Sequence, residues 1–561
     1  MSTTKRQTTV LIGGSNGTKT LCSILGDKSN PINKGHVLRV VSRSPNRFQE
    51  LKAPMKWTCH EQKSMSNLAP FAFLPKSWST HVGQPDSVFG YDELGAALSG
   101  INAPDDGGAA DIILLCCPVH AHLQILREVA KTLYKLNEEG MLMGSKSLLI
   151  GTLYAAGGFD WMSKIAFCVE KPGQFMSWSR PLALFGLRSF PYLCKSLKPG
   201  SVTLYGRFPQ LTVAVCPARP LIRHRVNELL GRVLQCDQTN IHLDFLGLSS
   251  DLDNADPHCA LGFLTCTLNS TNQLLHPTII YDLFKEGSIP WPTDSKTTLP
   301  RFYADGATPE VGKLITDIGA VEYYPILHTL DTLLAPHGMN PISYSHGGEP
   351  VGRFFLNQMG NSPQDLAQRS GITDYVTYHE HPTSKSLPST QRPNFNMRPL
   401  FEFMLYFGLS RNARLGSVLS PAYRDPHDPN CIKPNVKTRF FIDDIPHGLC
   451  IILGIAELLG LSLTKHTPVT LKLVRKLQSW MGKQYVLPHD NINLRIVADA
   501  RDLKESSAPQ AFGIYTISQF RDFLNMDPFG VDQQLIMENT VRCSPMFGAN
   551  LTEHQFIRSK L

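Results

Sequence analysis

The chain has 561 residues, 42% of them apolar and 18% charged. That is the composition of a globular protein, and the length calls for two or more domains. A formal charge of +7 is small for this size and no Lys/Arg run accompanies it, which argues against a nucleic-acid or membrane-surface binder and leaves a mild attraction to small anions.

The opening "MSTTKRQTTVLIGG" has no apolar signal core. No segment reaches ~18 uninterrupted apolar residues, so no membrane span is expected. The thirteen cysteines form no CxxC pair and read as buried, reduced thiols. The pairs His120/His122 and His379/His381 lack a third ligand in the nearby sequence, so no metal site is expected.

The first element is a β-branched strand, Thr8 to Ile12, followed by a glycine-rich turn and a helix start. In that context a glycine fingerprint binds a dinucleotide: backbone N–H groups approach the pyrophosphate, and the helix N-terminus adds partial positive charge. Gly13 takes the first position of the fingerprint. Ser15 stands at the second and Thr18 at the third, with Gly14, Asn16 and Gly17 between them. The next strand, Val37 to Val41, ends in Ser42, Arg43, Ser44 and Arg47. An acidic residue there would bond the ribose hydroxyl of NAD. Hydroxyls and guanidiniums suit a 2′-phosphate instead, so NADPH is favoured and NADH is the alternative. A solvated basic loop is the bland reading of the same residues.

Residues 52–106 are rich in Pro, Ser, Trp and Gly and read as an embellished loop region. "ADIILLCCPVHAH" then supplies a buried parallel strand with Pro118 at its exit. Strand patterns continue to about Cys216, and the alternation with helices argues a Rossmann-type, doubly wound α/β domain over residues 1–220.

From Leu221 the spacing turns helical, in "LIRHRVNELLGRVL", "PHGLCIILGIAELLGL", "TPVTLKLVRKLQSWMG" and "SQFRDFLNM". Thr467 reads as the N-cap of the third of these, with Pro468 at the first helical position. Residues 221–561 are therefore expected to form a mostly α-helical domain. Residues 360–435, crowded with Pro, Ser, Asn and His, read as an insertion. In "STNQLLHPTIIYD" the proline at 277 is expected to break a helix just after His276. The final Ser559, Lys560 and Leu561 match the address read by the peroxisomal import receptor. The expected location is the peroxisome, or the cytoplasm if that signal is not used.

Across most of the chain the motifs resemble the opine dehydrogenases, including octopine and nopaline dehydrogenases. The resemblance rests on "GGSNG", "ADIILLCCP", "GTLYAAGGF", "FYADGATPEVGKLI", "NQLLHP", "RFFIDDIPHGLCIILGIAELLG" and "APQAFGIYTISQF". It implies an N-terminal dinucleotide domain joined to a helical domain, with substrate in the cleft. It also implies a reaction: NAD(P)H-dependent condensation of an amino acid with a 2-oxo acid such as pyruvate, through an imine. By resemblance His276 matches the catalytic histidine, Asp444 its carboxylate partner, and Arg439 the arginine that grips a substrate carboxylate. Asn272, one helical turn before His276, would orient groups around the site. The competing readings are a 2-oxo acid reductase of ketopantoate type that needs no amine, and a non-catalytic NADP-binding protein. Structural duties compete residue by residue: Asp444 as a helix cap, and Arg439 in a salt bridge to Asp443 or Asp444.

Overall fold

The computed structural model describes residues 7–50, 53–61, 80–142, 147–169, 182–188, 190–207, 210–216, 220–234, 242–245, 261–268, 271–291, 299–323, 326, 329–330, 333, 416–490 and 493–524. The terminal Ser559–Leu561 signal, His379/His381 and residues 360–415 of the expected insertion lie outside these.

The strands are β1 (Gln7–Ile12), β2 (His36–Val41), the short β3 (Gln49–Glu50) and β4 (Ala53–Pro54), β5 (Trp57–Glu61), β6 (His81–Gly83), β7 (Ser87–Phe89) and β8 (Ile112–Leu115). They continue with β9 (Leu148–Thr152), β10 (Leu182–Leu187), β11 (Tyr192–Lys198), β12 (Ser201–Arg207), β13 (Gln210–Cys216) and β14 (His242–Phe245). The main sheet has eight strands in the order β14-β13-β10-β9-β8-β1-β2-β7. From β7 to β10 every pairing is parallel, and β13 then pairs antiparallel with β10. This is the expected doubly wound sheet with a mixed edge.

Residues of β1 alternate between two cores, as a strand buried on both faces must. Leu11 packs with Leu21 and Leu25 of α1 (Asn16–Leu25). Val10 and Ile12 face the opposite side, with Ile125 and Leu126 of α3 (His122–Glu138). Between these two helices in the chain lies α2 (Leu94–Ser99). The second core runs on without a break from the sheet into the helical part, through Phe263, Ile279, Phe441 and Leu453. That continuity fixes the two parts against each other. A buried ion pair adds to it: Lys164 of α4 (Phe159–Lys164) meets Asp160 at 3.1 Å and donates to the Phe523 and Leu524 carbonyls.

Three expectations about the elements are corrected. The described residues of the 52–106 region are not all loop. Its β5 and β6 complete a four-stranded sheet, β11-β12-β5-β6, laid over α1, while β7 and α2 join the main domain. The alternating burial of Trp57 and Cys59 against Val202 and Leu204 drives this pairing. The first sheet also passes residue 220. Helix α5 (Pro220–Leu234) packs Val226 and Leu230 into the α1-side core, and β14 pairs with β13. Finally, Pro277 does not break its helix. With α6 (Leu261–Leu268) before it, α7 runs unbroken over Thr271–Phe284. Proline removes one N–H from the ladder. The next residue, Thr278, donates its hydroxyl back to the Leu274 and Leu275 carbonyls. Core packing of Leu274, Ile279 and Ile280 holds the rest.

The helical part continues with α8 (Phe302–Asp305), α9 (Pro309–Thr316), α10 (Arg439–Ile442) and a π-helical turn over Ile445–Leu449. Then come α11 (Cys450–Leu458), α12 (Leu463–His466), α13 (Pro468–Trp480) and α14 (Ile517–Leu524). Thr467 precedes α13 but its hydroxyl turns back to Leu463. The carboxylate of Glu322 caps the helix instead, accepting from the Val469 and Thr470 N–H groups. The described end of the expected insertion, 416–435, folds as β16 (Ala422–Arg424) and β17 (Cys431–Pro434), a small sheet with β15 (Ile289–Pro290).

Candidate functional site

The glycine turn is shaped by close backbone approach. Gly13 has φ +132°, and a Cβ there would lie 2.4 Å from the Cys116 carbonyl oxygen at the end of β8. Gly14 meets nothing nearer than the Ser42 hydroxyl at 3.4 Å, while a Cβ on Gly17 would strike the ring of Phe190. Ser15, at the second fingerprint position, caps α1 by accepting from the Thr18 N–H at 3.2 Å. Asn16 opens the helix, whose first turn carries no acidic residue to oppose an anion.

At the end of β2, Ser42 is buried and accepts from the Ser44 N–H, whereas Arg43 and Arg47 are exposed. The Arg43 guanidinium lies over the Tyr91 ring, 5.8 Å from its centroid. Both border a cavity of about 490 Å³ whose walls include Gln124, Ile125 and Glu128 of α3. Pro118 is exposed at the exit of β8.

The second cluster is built from three separate stretches of chain. His276 of α7 is 1% exposed, and its Nδ1 lies 2.7 Å from Asp444 Oδ2. Its Nε2 lies 2.8 Å from the hydroxyl of Tyr303 on α8. Phe440 meets the imidazole edge-on at 4.3 Å and stacks on Phe302 at 4.8 Å. Burial, with the charge of Arg439 beside it, pushes the His276 imidazolium well below the usual range. Burial and the neighbouring Asp443 push the Asp444 carboxyl well above its own, against the opposing pull of Arg439. Both directions favour a pair without separated charge.

Arg439 begins α10 with an exposed side chain, over the Phe440 ring. It forms no salt bridge with Asp443 or Asp444, so the structural duty weighed for it is not the one it performs. Asn272 is half-buried one turn before His276.

A residue pair that the sequence reading missed ties the two clusters together. Asp443 accepts from the His120 backbone N–H at 3.0 Å and lies 2.6 Å from His120 Nδ1. His120 follows β8 by a few residues, so the edge of the nucleotide sheet is bonded to the neighbour of Asp444. Tyr303 was missed too, although "FYADGATPEVGKLI" was recognised as a motif. A tyrosine next to that motif's Phe302 was its only local signal. His122, the other member of the HxH pair, turns away and bonds the Cys117 carbonyl at 3.3 Å.

No family model matches the chain. The architecture is that of solved opine dehydrogenases. Octopine dehydrogenase with NADH and L-arginine superposes with a TM-score of 0.57 over 92% of this chain and 97% of that one, at 15% identity. The chain has the octopine dehydrogenase fold. Yersinopine dehydrogenase with NADP+ bound gives a TM-score of 0.51 over 95% of this chain and 99% of that one, at 14% identity. In sequence, tauropine dehydrogenase of Arabella iricolor is 25% identical over 182 residues, which is 32% of this chain and 41% of that enzyme. The chain thus matches less than half the length of this relative, while the octopine dehydrogenase fold spans nearly all of the solved enzyme. Among the described residues, no helix is long and apolar enough to cross a membrane.

Proposed function

We propose that the protein is an opine dehydrogenase, condensing an amino acid or related amine with a 2-oxo acid and reducing the resulting imine with a nicotinamide dinucleotide. The observation that carries the reading is the buried Asp444–His276 pair joined to the nucleotide sheet through Asp443–His120. The similar solved proteins support it, since octopine dehydrogenase was solved with NADH and with pyruvate, and yersinopine dehydrogenase with NADP+.

The residues present fit a dinucleotide. The Gly13–Gly17 turn is open at Gly14, and the start of α1 is not countered by acid. Gly13, Gly14, Ser15, Asn16 and Gly17 would hold the pyrophosphate, with Pro118 at the β8 edge beside it. Ser42, Arg43 and Arg47 would meet the ribose end. With two exposed guanidiniums and no carboxylate on that loop, we favour NADPH over NADH. The bound cofactor supplies the hydride.

The chain's own residues do the rest. Arg439, exposed and without a carboxylate partner in its own helix turn, would grip the substrate carboxylate. Asn272 would orient the amine side from the same face of α7. Carbinolamine loses water only when its oxygen is protonated, and the neutral Asp444–His276 pair stores that proton at a position sealed by Phe302 and Phe440. Asp444 also fixes the imidazole orientation, and its carboxyl group makes no capping hydrogen bond to the turn that follows. For localisation we propose peroxisomal import through Ser559–Lys560–Leu561. Deleting Leu561 from a tagged protein checks it, since continued import without that residue would refute the address.

The test is a matrix of NADPH and NADH oxidation with 2-oxo acids, each with and without a panel of amino acids. Oxidation that requires both substrates supports the proposal and names the amine. Oxidation with the 2-oxo acid by itself moves the protein to the simple reductases.

A further inference from the structure

Both ring nitrogens of His276 are already engaged, Nδ1 by Asp444 and Nε2 by the Tyr303 hydroxyl. The ring is walled on its remaining sides by Phe302 and Phe440, at centroid distances of 5.7 Å and 4.3 Å. A histidine so enclosed does not reach a substrate atom with its own N–H. Its proton leaves through the group bonded to Nε2. Tyr303 is 7% exposed, more open than His276 at 1%. A phenolic oxygen donates and accepts at once.

From this geometry we infer that Tyr303 is the terminal proton donor of a relay running Asp444–His276–Tyr303. The inference rests on the proposed opine reaction for its substrate and goes beyond it by moving the point of proton delivery from histidine to tyrosine. Asp444 holds the proton at rest and Nδ1 accepts from it, while Nε2–H donates to the Tyr303 oxygen. When the carbinolamine forms, the Tyr303 hydroxyl gives its proton to the carbinolamine oxygen. The C–O bond breaks, water leaves, and the nitrogen lone pair forms the C=N bond. Tyr303 recovers a proton from Nε2, and Nδ1 recovers one from Asp444, which ends as a carboxylate. One proton enters and one water leaves, and hydride addition to the iminium then gives the secondary amine. No free imidazolium or phenolate needs to persist, which suits the low polarity of the site.

The substitution Tyr303→Phe keeps the ring and removes only the hydroxyl. We expect kcat to fall by about 10²-fold, the low end of what a general acid contributes. KM for both substrates and NADPH affinity by fluorescence titration should stay near the parent values. The pH profile of kcat should change shape, and Tyr303→Phe should cost little more when added to His276→Gln, because the two act in one chain. A Tyr303→Phe enzyme with parental kcat and pH profile would overturn the relay. A second readout needs no turnover. In protein labelled with 15N-histidine, the Nε2 resonance of His276, assigned by its loss in His276→Gln, should move in Tyr303→Phe. An unmoved resonance also overturns the inference. If the parent lacks amine-dependent turnover the functional reading fails, and the resonance still decides on the Tyr303–His276 link.

Discussion

The glycine turn after β1 and the cluster around His276 are made in opposite ways. The turn is contiguous: five residues, Gly13 to Gly17, whose work is done by backbone geometry and the absence of side chains. The cluster draws on α7, α8, α10 and the turn after it, and its work is done by side chains whose chemistry depends on being buried together. The backbone motif leaves no room for a Cβ at Gly13 or Gly17, although Gly14 is open. A dispersed side-chain cluster can lose one group, keep its fold and lose its chemistry.

The largest effect should come from the cluster. His276→Ala is expected to lower kcat about 10³-fold, within the range for removing a general acid–base, while NADPH binding measured by fluorescence persists. Turnover unchanged in that variant would remove His276 from the mechanism. Next comes the turn. In Gly13→Ala the new Cβ meets backbone, 2.4 Å from the Cys116 oxygen, at a φ that alanine resists. Strain and overpacking together should cost about 3 kcal/mol, read as a fall in thermal midpoint. If His276→Ala destabilised more than Gly13→Ala, the division between backbone and side-chain sites would be wrong.

That division also explains what was legible in the sequence. The strand–turn–helix start is local, so Gly13, Ser15 and the β2 end could be read directly. His276, Arg439 and Asp444 came only through the resemblance to a known family, because nothing local marks a histidine within a helix as catalytic. Tyr303 and the His120–Asp443 bond went unread, since their partners lie far away in the chain. Pro277 misled for the reverse reason. Its local rule is sound, but Thr278 and the core around Ile279 and Ile280 override it. In residues 52–106, turn-rich composition hid β5, which pairs with β12, and β6, which pairs with β5, contacts the composition does not carry.

A smaller effect sharpens the nucleotide side. Arg43→Ala should weaken NADPH about 10-fold, the loss of one charge-assisted contact, and leave NADH nearly unchanged. Steady-state KM values for the two cofactors measure it. Equal weakening of both would assign Arg43 to a general role around the Tyr91 cavity and return the preference to NADH.

The smallest effect separates two adjacent carboxylates. Burial alone would raise Asp443, but the hydrogen bonds from the His120 ring and backbone outweigh it and hold the carboxyl below its usual range. Asp443 therefore adds stability that is present above about pH 4 and is lost as pH falls through its lowered folded value. Asp444 has the opposite sign. Its folded value is raised by burial, so above about pH 4 the unfolded chain releases a proton that the folded chain keeps. Its contribution to stability falls as pH rises toward that raised value. Asp443→Asn should thus lower the thermal midpoint at neutral pH and lose part of the parent's sensitivity to acid. Asp444→Asn should gain on the parent as pH rises, even as it loses activity. Midpoints measured from pH 3 to pH 8 decide the matter. Shifts of the same sign in both variants would mean that Asp443 and Asp444 share one environment, and that the bond to His120 does not set them apart.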